Sequence, residues 1–154
     1  MGKMMVAALT RYPLFLMLGL AATAGISLLD GEPRLAGNGF LLLMGALLGL
    51  AGALLLSTAA GLFRRVGTTV DPTKSPDALV THGIYSLTRN PMYLGMLLLL
   101  AAEVCLLGRP LTLLSPLCFF VLMNTQRIPA EEAMVEARFG DAFTEYKARV
   151  RRWL

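Results

Sequence analysis

The chain has 154 residues, 56% of them hydrophobic and only 16% charged, and its mean hydropathy is +0.64. Soluble domains carry about 25% charged residues, so this composition excludes an ordinary soluble fold and describes an integral membrane protein. The net charge of +4 lies in short basic stretches between apolar blocks, a placement that sets membrane orientation; with no recognised nucleic-acid motif present, nucleic acid is not an expected partner.

Met1 to Thr10 carries only Lys3 ahead of Arg11. The apolar run that follows is longer than a signal-peptide core and lacks a small-x-small cleavage site, so a retained first span is expected. That span, Tyr12 to Leu29, stops at Asp30-Gly31-Glu32-Pro33-Arg34, which neither continues a helix nor tolerates hydrocarbon. The second run, Gly39 to Leu62, is the longest. Gly45 and Gly49 in small-xxx-small spacing, with Gly52 nearby, permit close helix contact without naming the partner.

The polar stretch Phe63 to Asn90 sets Arg64, Arg65, Lys74 and Arg89 against Asp71 and Asp77 and is too long for a mere connector. Pro91 opens a third run ending near Leu107, Gly108-Arg109-Pro110 breaks it, and Leu111 to Ile128 forms a fourth. The short break implies an antiparallel helix hairpin. At 1.5 Å per residue the third run covers about 24 Å, short of a hydrocarbon core of roughly 30 Å, so it is expected to cross the bilayer imperfectly. Cys105 and Cys118 sit in apolar segments without metal or CxxC spacing and read as buried, inert packing. Glu103, also in the third run, is a costly residue there and is expected near the far interface in a structural or snorkelling role.

Positive charge gathers before span one, between spans two and three and after span four, while the other loops offer Arg34 and Arg109. Both termini and the long loop are therefore expected in the cytoplasm. From Glu131 onward, Val135, Phe139, Phe143, Tyr146, Val150 and Trp153 recur at spacings of three and four, the mark of an amphipathic tail. Gly140-Asp141 divides it into two short helices expected at the membrane surface, with Arg149, Arg151 and Arg152 facing lipid headgroups. The fold class is thus all-α: a polytopic membrane bundle of about four spans plus amphipathic C-terminal helices. It forms a single domain over 1–154, with 1–62 the two N-terminal spans and 63–154 the core. The sequence leaves the oligomeric state open.

The densest polar cluster is His82-Gly83-Ile84-Tyr85-Ser86-Leu87-Thr88-Arg89-Asn90-Pro91-Met92-Tyr93-Leu94-Gly95. A bland account has Thr88 or Asn90 capping span three, Pro91 in its first turn, and the tyrosines in an interfacial belt. Yet His82-Gly83-Ile84-Tyr85, Arg89-Asn90-Pro91-Met92-Tyr93 and Gly95 together resemble the signature of the isoprenylcysteine carboxyl methyltransferase and phospholipid N-methyltransferase superfamily. Glu131-Glu132, Phe139-Gly140, Tyr146 and Val150-Arg151-Arg152-Trp153 resemble that family's second block. The resemblance runs from about Val66 to Leu154. Asn90 departs from it, since the prenylcysteine enzymes commonly carry His there.

The resemblance implies S-adenosylmethionine as methyl donor and a lipophilic acceptor, isoprenylcysteine-carboxylate-like or a lipid amine, in contact with membrane lipid. It assigns His82, Gly83, Tyr85, Asn90, Pro91, Tyr93, Glu131 and Glu132 to the cofactor pocket, with His82, Arg89 and Glu132 as catalytic candidates. Arg89 is the candidate for orienting a carboxylate, because its planar fork binds one in bidentate fashion. His82 stays open between cofactor ligand, acceptor-activating base and structural hydrogen-bonder. The chemistry needs no metal, and a lone His builds no metal site; no GxGxxG follows a strand-like run, which sets a Rossmann methyltransferase aside. Asn124, Gln126 and Arg127 are second-tier candidates on the opposite helix. The competing reading is a noncatalytic membrane carrier or assembly protein on the same scaffold.

Overall fold

The structure, a computed structural model, describes residues 11–29, 38–67 and 77–154, with backbone alone for 11–15. The N-terminal decapeptide with Lys3, the break at Asp30 to Arg34, and Asp71 and Lys74 of the long loop lie outside the described residues. All regular structure among the described residues is helical. Helix α1 covers Arg11–Leu29 and α2 Gly39–Val66. A 3-10 turn, Gly83–Ser86, precedes α3, Pro91–Leu107. A second 3-10 turn, Pro110–Leu113, leads into α4, Leu114–Leu122, then a π turn, Met123–Arg127, and α5, Ile128–Phe139; α6 is Asp141–Arg149.

The boundaries follow from local chemistry. Asn38 caps α2 by accepting the Phe40 N–H, and Gly67 closes it in the left-handed region at φ 70°, the end that glycine permits without a Cβ clash. Pro91 occupies the first turn of α3, where a missing N–H costs nothing, and Gly108 at φ 61° turns the chain into the hairpin. At α3's start Thr88 Oγ1 accepts the Asn90 N–H at 3.2 Å, whereas the Asn90 side chain caps nothing.

Two helices, Gly39–Val66 and the continuous rod Pro110–Phe139, are long and apolar enough to cross a membrane; Leu16–Leu29 and Pro91–Leu107 are apolar but shorter. The expected first tail helix is therefore no separate surface segment. It continues span four as one rod, because the π turn falls immediately before Pro129, widening the helix where a proline ring would otherwise strike the carbonyl four residues back.

Helices α2 and α3 share the most extensive contact, and its cause is glycine. A Cβ on Gly52 would lie 2.7 Å from the Gly95 carbonyl oxygen, and one on Gly95 2.9 Å from the Gly52 carbonyl oxygen. The two backbones meet directly there, and Gly45 seats Leu106 and the Ala102 carbonyl further along. The partner of the small-residue stripe is thus α3. The main core, Tyr93, Met96, Leu100, Phe119, Met123 and Ile128, lies between α3 and the rod, with Leu16 and Leu20 of α1 packed against it. Ser115 Oγ donates to the Gly19 carbonyl at 2.9 Å and ties the rod to α1, and Glu103 faces Thr23 of the same helix.

Two further expectations are corrected. Phe143, Tyr146 and Val150 of the tail are buried against Leu79, Val135 and Phe139, so the apolar face of α6 is covered by protein instead of lipid. Cys118 is exposed on the outer side of α4 and Cys105 only half-buried, since both fall outside the α1–α3–α4 contact.

Candidate functional site

The site is assembled where the start of α3, the start of α5 and the last residues of the chain meet. Arg89, just before α3, donates from Nη2 to Glu132 Oε1 at 2.8 Å and from Nη1 to the Lys147 and Val150 carbonyls at 3.0 and 3.1 Å. Its backbone N–H donates to the Arg151 carbonyl. The Arg89 and Glu132 side chains are only 11% and 14% exposed, so this pair lies in a poorly hydrated setting where each charge needs the other.

Glu132 is bridged from a second side. Arg152 reaches its Oε2 from Nη2 at 2.6 Å and its Oε1 from Nε at 3.3 Å, and donates to Asn124 Oδ1 from Nη1 at 3.3 Å. Trp153 Nε1 donates to the same Asn124 oxygen at 3.1 Å, with its ring against Phe120. Thr88 Oγ1 and Asn90 Nδ2 both donate to the Arg152 carbonyl, at 3.1 and 3.0 Å. A second pair stands beside the first: Tyr93 donates to Glu131 Oε1 at 2.6 Å, and Arg127, one helical turn earlier, closes on the same oxygen at 3.2 Å.

Of the candidates drawn from the sequence, Arg89, Asn90, Tyr93, Glu131 and Glu132 are thus brought together, with Pro91 buried beneath them at the helix start. The carboxylate that Arg89 meets in the structure is that of Glu132. Tyr85 is buried nearby, its ring edge-on to Phe63 at 5.3 Å and its carbonyl accepting the Tyr146 hydroxyl at 2.7 Å. Burial, then the neighbouring Tyr146 hydroxyl and the Glu131 charge, drive its phenol far above the usual range; burial pushes Tyr146 up to about 12, against a lowering pull from Arg89. Both stay neutral hydrogen-bonding groups.

His82 and Gly83 stand apart, exposed on the outer side of the 3-10 turn. That turn divides the tail side from an open groove of about 590 Å³ lined by Ser57, Thr58, Gly61, Leu62, Arg65, Gly83 and Ile84. Sequence reasoning placed Arg152 at the headgroups, whereas it turns inward. It ranked Asn124 second-tier and passed over the groove entirely; the available signal was Ser57, Thr58 and Gly61 interrupting an otherwise aliphatic span just before Arg64-Arg65.

The side chains present suit the donor that the motifs imply. Glu131 and Glu132 offer acceptors for an ammonium and for ribose hydroxyls; Arg152 and Asn90 offer donors to a carboxylate; and the buried Nε of Arg89 has no hydrogen-bond partner among the described residues. Among the described residues no three His, Cys, Asp or Glu side chains gather as a metal site requires.

Comparison with known proteins places the chain in a family. Residues 40–142, two thirds of the chain, match the phospholipid methyltransferase family. An uncharacterized protein of Haemophilus influenzae is 43% identical over 63 residues, 41% of this chain and the whole of that protein. Protein-S-isoprenylcysteine O-methyltransferase of Schizosaccharomyces pombe is 38% identical over 73 residues, 47% of this chain and 30% of that enzyme. Protein-S-isoprenylcysteine O-methyltransferase A of Arabidopsis thaliana is 35% identical over 72 residues, 47% of this chain and 36% of that enzyme. The matched stretch thus amounts to about a third of each of those two enzymes. By its family match over residues 40–142, the chain belongs to the phospholipid methyltransferase family, within the superfamily that includes the isoprenylcysteine methyltransferases.

Proposed function

We propose that the protein transfers a methyl group from S-adenosylmethionine to a lipophilic acceptor at the cytoplasmic face of a bacterial inner membrane, with both termini in the cytoplasm. The observation that carries this reading is the meeting of two motif blocks far apart in the chain, through Arg89 with Glu132 and Tyr93 with Glu131. The donor supplies an already activated sulfonium methyl, so the protein's work is positioning and exclusion of water, effects worth several orders of magnitude.

Glu131 and Glu132 hold the donor's ammonium and hydroxyls. Asn90 and Arg152 meet its carboxylate, and Tyr85, Pro91 and Tyr93 complete the pocket wall. Arg89 is a positioning residue: with Nη1 on two tail carbonyls and Nη2 on Glu132, it sets the carboxylate and the chain end at one distance from α3. His82, exposed and making no side-chain capping hydrogen bond at the 3-10 turn, is the candidate for taking a proton from an acceptor that must lose one.

The test is calorimetric titration of S-adenosylhomocysteine into detergent-purified protein, repeated with Glu132→Gln. Saturable binding that the substitution removes supports the reading. Absence of heat in folded, lipid-supplemented protein rejects it in favour of a noncatalytic scaffold.

A further inference from the structure

Glu132 is held by two guanidinium groups that differ in how firmly they are themselves held. Arg89 is fixed: its side chain is 11% exposed, its Nη1 is committed to the Lys147 and Val150 carbonyls, and its Nη2 meets Oε1 at 2.8 Å. Arg152 is 31% exposed and hangs on one short bond, Nη2 to Oε2 at 2.6 Å. Its other side-chain contacts are long, 3.3 Å from Nε to Glu132 Oε1 and 3.3 and 3.4 Å from Nη1 to the side-chain and backbone oxygens of Asn124.

The main chain of Arg152 is anchored separately, since Thr88 and Asn90 both donate to its carbonyl. Its guanidinium can therefore swing away while the chain end stays in place. That freedom matters because both oxygens of Glu132 are already engaged, so an ammonium that binds this carboxylate has to take the place of a partner.

A lone cation arriving at Glu132 would push a guanidinium into a half-buried setting without a counter-charge, which is destabilising. A group that carries an ammonium and a carboxylate on one carbon avoids this. Its ammonium replaces Arg152 at Glu132 Oε2, its carboxylate receives the displaced fork, and one ion pair becomes two. The amino-acid end of S-adenosylmethionine is such a group.

We infer that the Arg152–Glu132 ion pair holds the place of the donor's amino-acid end, that this zwitterion binds by exchange with the pair, and that Arg152 is the residue selecting donors that keep the carboxylate. The inference rests on the methyl-transfer reading for the identity of the donor. The fold also supplies a reporter for the exchange. Trp153, the sole tryptophan of the chain, donates to the same Asn124 oxygen that Arg152 reaches from Nη1, so release of Arg152 from Asn124 changes the surroundings of the indole.

The experiment uses the full chain in lipid-supplemented detergent and two ligands that differ by one group, S-adenosylhomocysteine and its decarboxylated analogue, an adenosyl thioether ending in a primary ammonium. Affinity is measured by calorimetry and the indole by its fluorescence emission. The wild type is expected to bind S-adenosylhomocysteine at least about tenfold more tightly than the amine, the worth of one charge-assisted contact, with a shift of the Trp153 emission on binding. Arg152→Gln is expected to move the two ligands in opposite directions. S-adenosylhomocysteine weakens because its carboxylate loses the guanidinium, and the amine tightens because nothing competes for Glu132 Oε2. Arg152→Lys, which keeps the charge without the planar fork, is expected to retain part of the preference. If the glutamine variant does not fold, the two ligands and the emission in the wild type decide alone. Equal wild-type affinity for both ligands, an Arg152→Gln variant that weakens both alike, or S-adenosylhomocysteine binding that leaves the emission unmoved overturns the exchange and leaves the donor site standing. Folded protein that binds neither ligand removes the methyl-transfer reading, and the exchange with it.

Discussion

Helix α3 is held at two places by opposite means. Along its middle, the contact with α2 is made by Gly52 and Gly95 bringing carbonyl oxygens within 3 Å of where a side chain would begin; nothing there is directional except shape. At its start, Arg89, Asn90 and Tyr93 are tied to α5 and the chain end by hydrogen bonds and ion pairs. In an apolar surrounding, close backbone approach is what lets helices associate. At the start of the helix, charged pairs and hydrogen bonds with defined directions take over and hold the side chains in one arrangement. The seam makes the bundle; the clasp makes the site.

Breaking the seam gives the largest effect. Gly95→Leu drives a side chain into the Gly52 carbonyl and is expected to cost about 3 kcal/mol or more, seen as loss of monodisperse protein on detergent extraction; normal yield would show that the helices part cheaply. Breaking the clasp separates chemistry from insertion. Arg89→Ala leaves two carbonyls and a carboxylate short of a donor and is expected to lower stability by about 3–5 kcal/mol. Glu132→Gln is expected to abolish methyl transfer while the protein still inserts. Equal loss of folded protein and activity in the glutamine variant would reduce Glu132 to a purely structural strut.

Smaller effects sharpen the boundary between the two regions. Tyr146→Phe removes the hydroxyl that satisfies the Tyr85 carbonyl and is expected to cost about 1–3 kcal/mol. The same residue gives a pH signature. Burial raises its folded value to about 12 from the usual 10.0, so its stabilising contribution is complete below pH 10 and is lost as pH climbs from there towards 12, where the unfolded chain ionises first. Thermal scans across that window should slope downward in the wild type and less steeply in Tyr146→Phe. Lys147→Ala, finally, should change stability by no more than about 0.5 kcal/mol, because the exposed Lys147–Glu136 pair is peripheral and Arg89 uses the Lys147 carbonyl, not its ammonium.

The sequence was most legible where one residue carries its own conformational instruction. Pro91 and Gly108 marked both ends of α3, Gly140 the break before α6, and the run of aliphatics the long α2. The motif residues Arg89, Asn90, Tyr93, Glu131 and Glu132 were legible by resemblance as a group. What they touch was not: the inward turn of Arg152 depends on Thr88 and Asn90 donating to its carbonyl, a contact across more than sixty residues that no local pattern encodes. The coverage of Phe143 and Tyr146 was hidden for the same reason, since an amphipathic stripe states that a face is buried without stating whether lipid or protein buries it.

The unbroken rod from Pro110 to Phe139 is also a ruler. At about 1.5 Å per residue, Glu131 and Glu132 stand some 32–33 Å along it from Pro110, close to one hydrocarbon thickness of roughly 30 Å. With the far end of that rod seated at one surface of a bilayer, the two carboxylates surface at the other, whatever the rest of the bundle does. Membrane thickness then bears on where the carboxylates stand: a thicker bilayer would draw them down towards the acyl chains, and a thinner one would lift them into water.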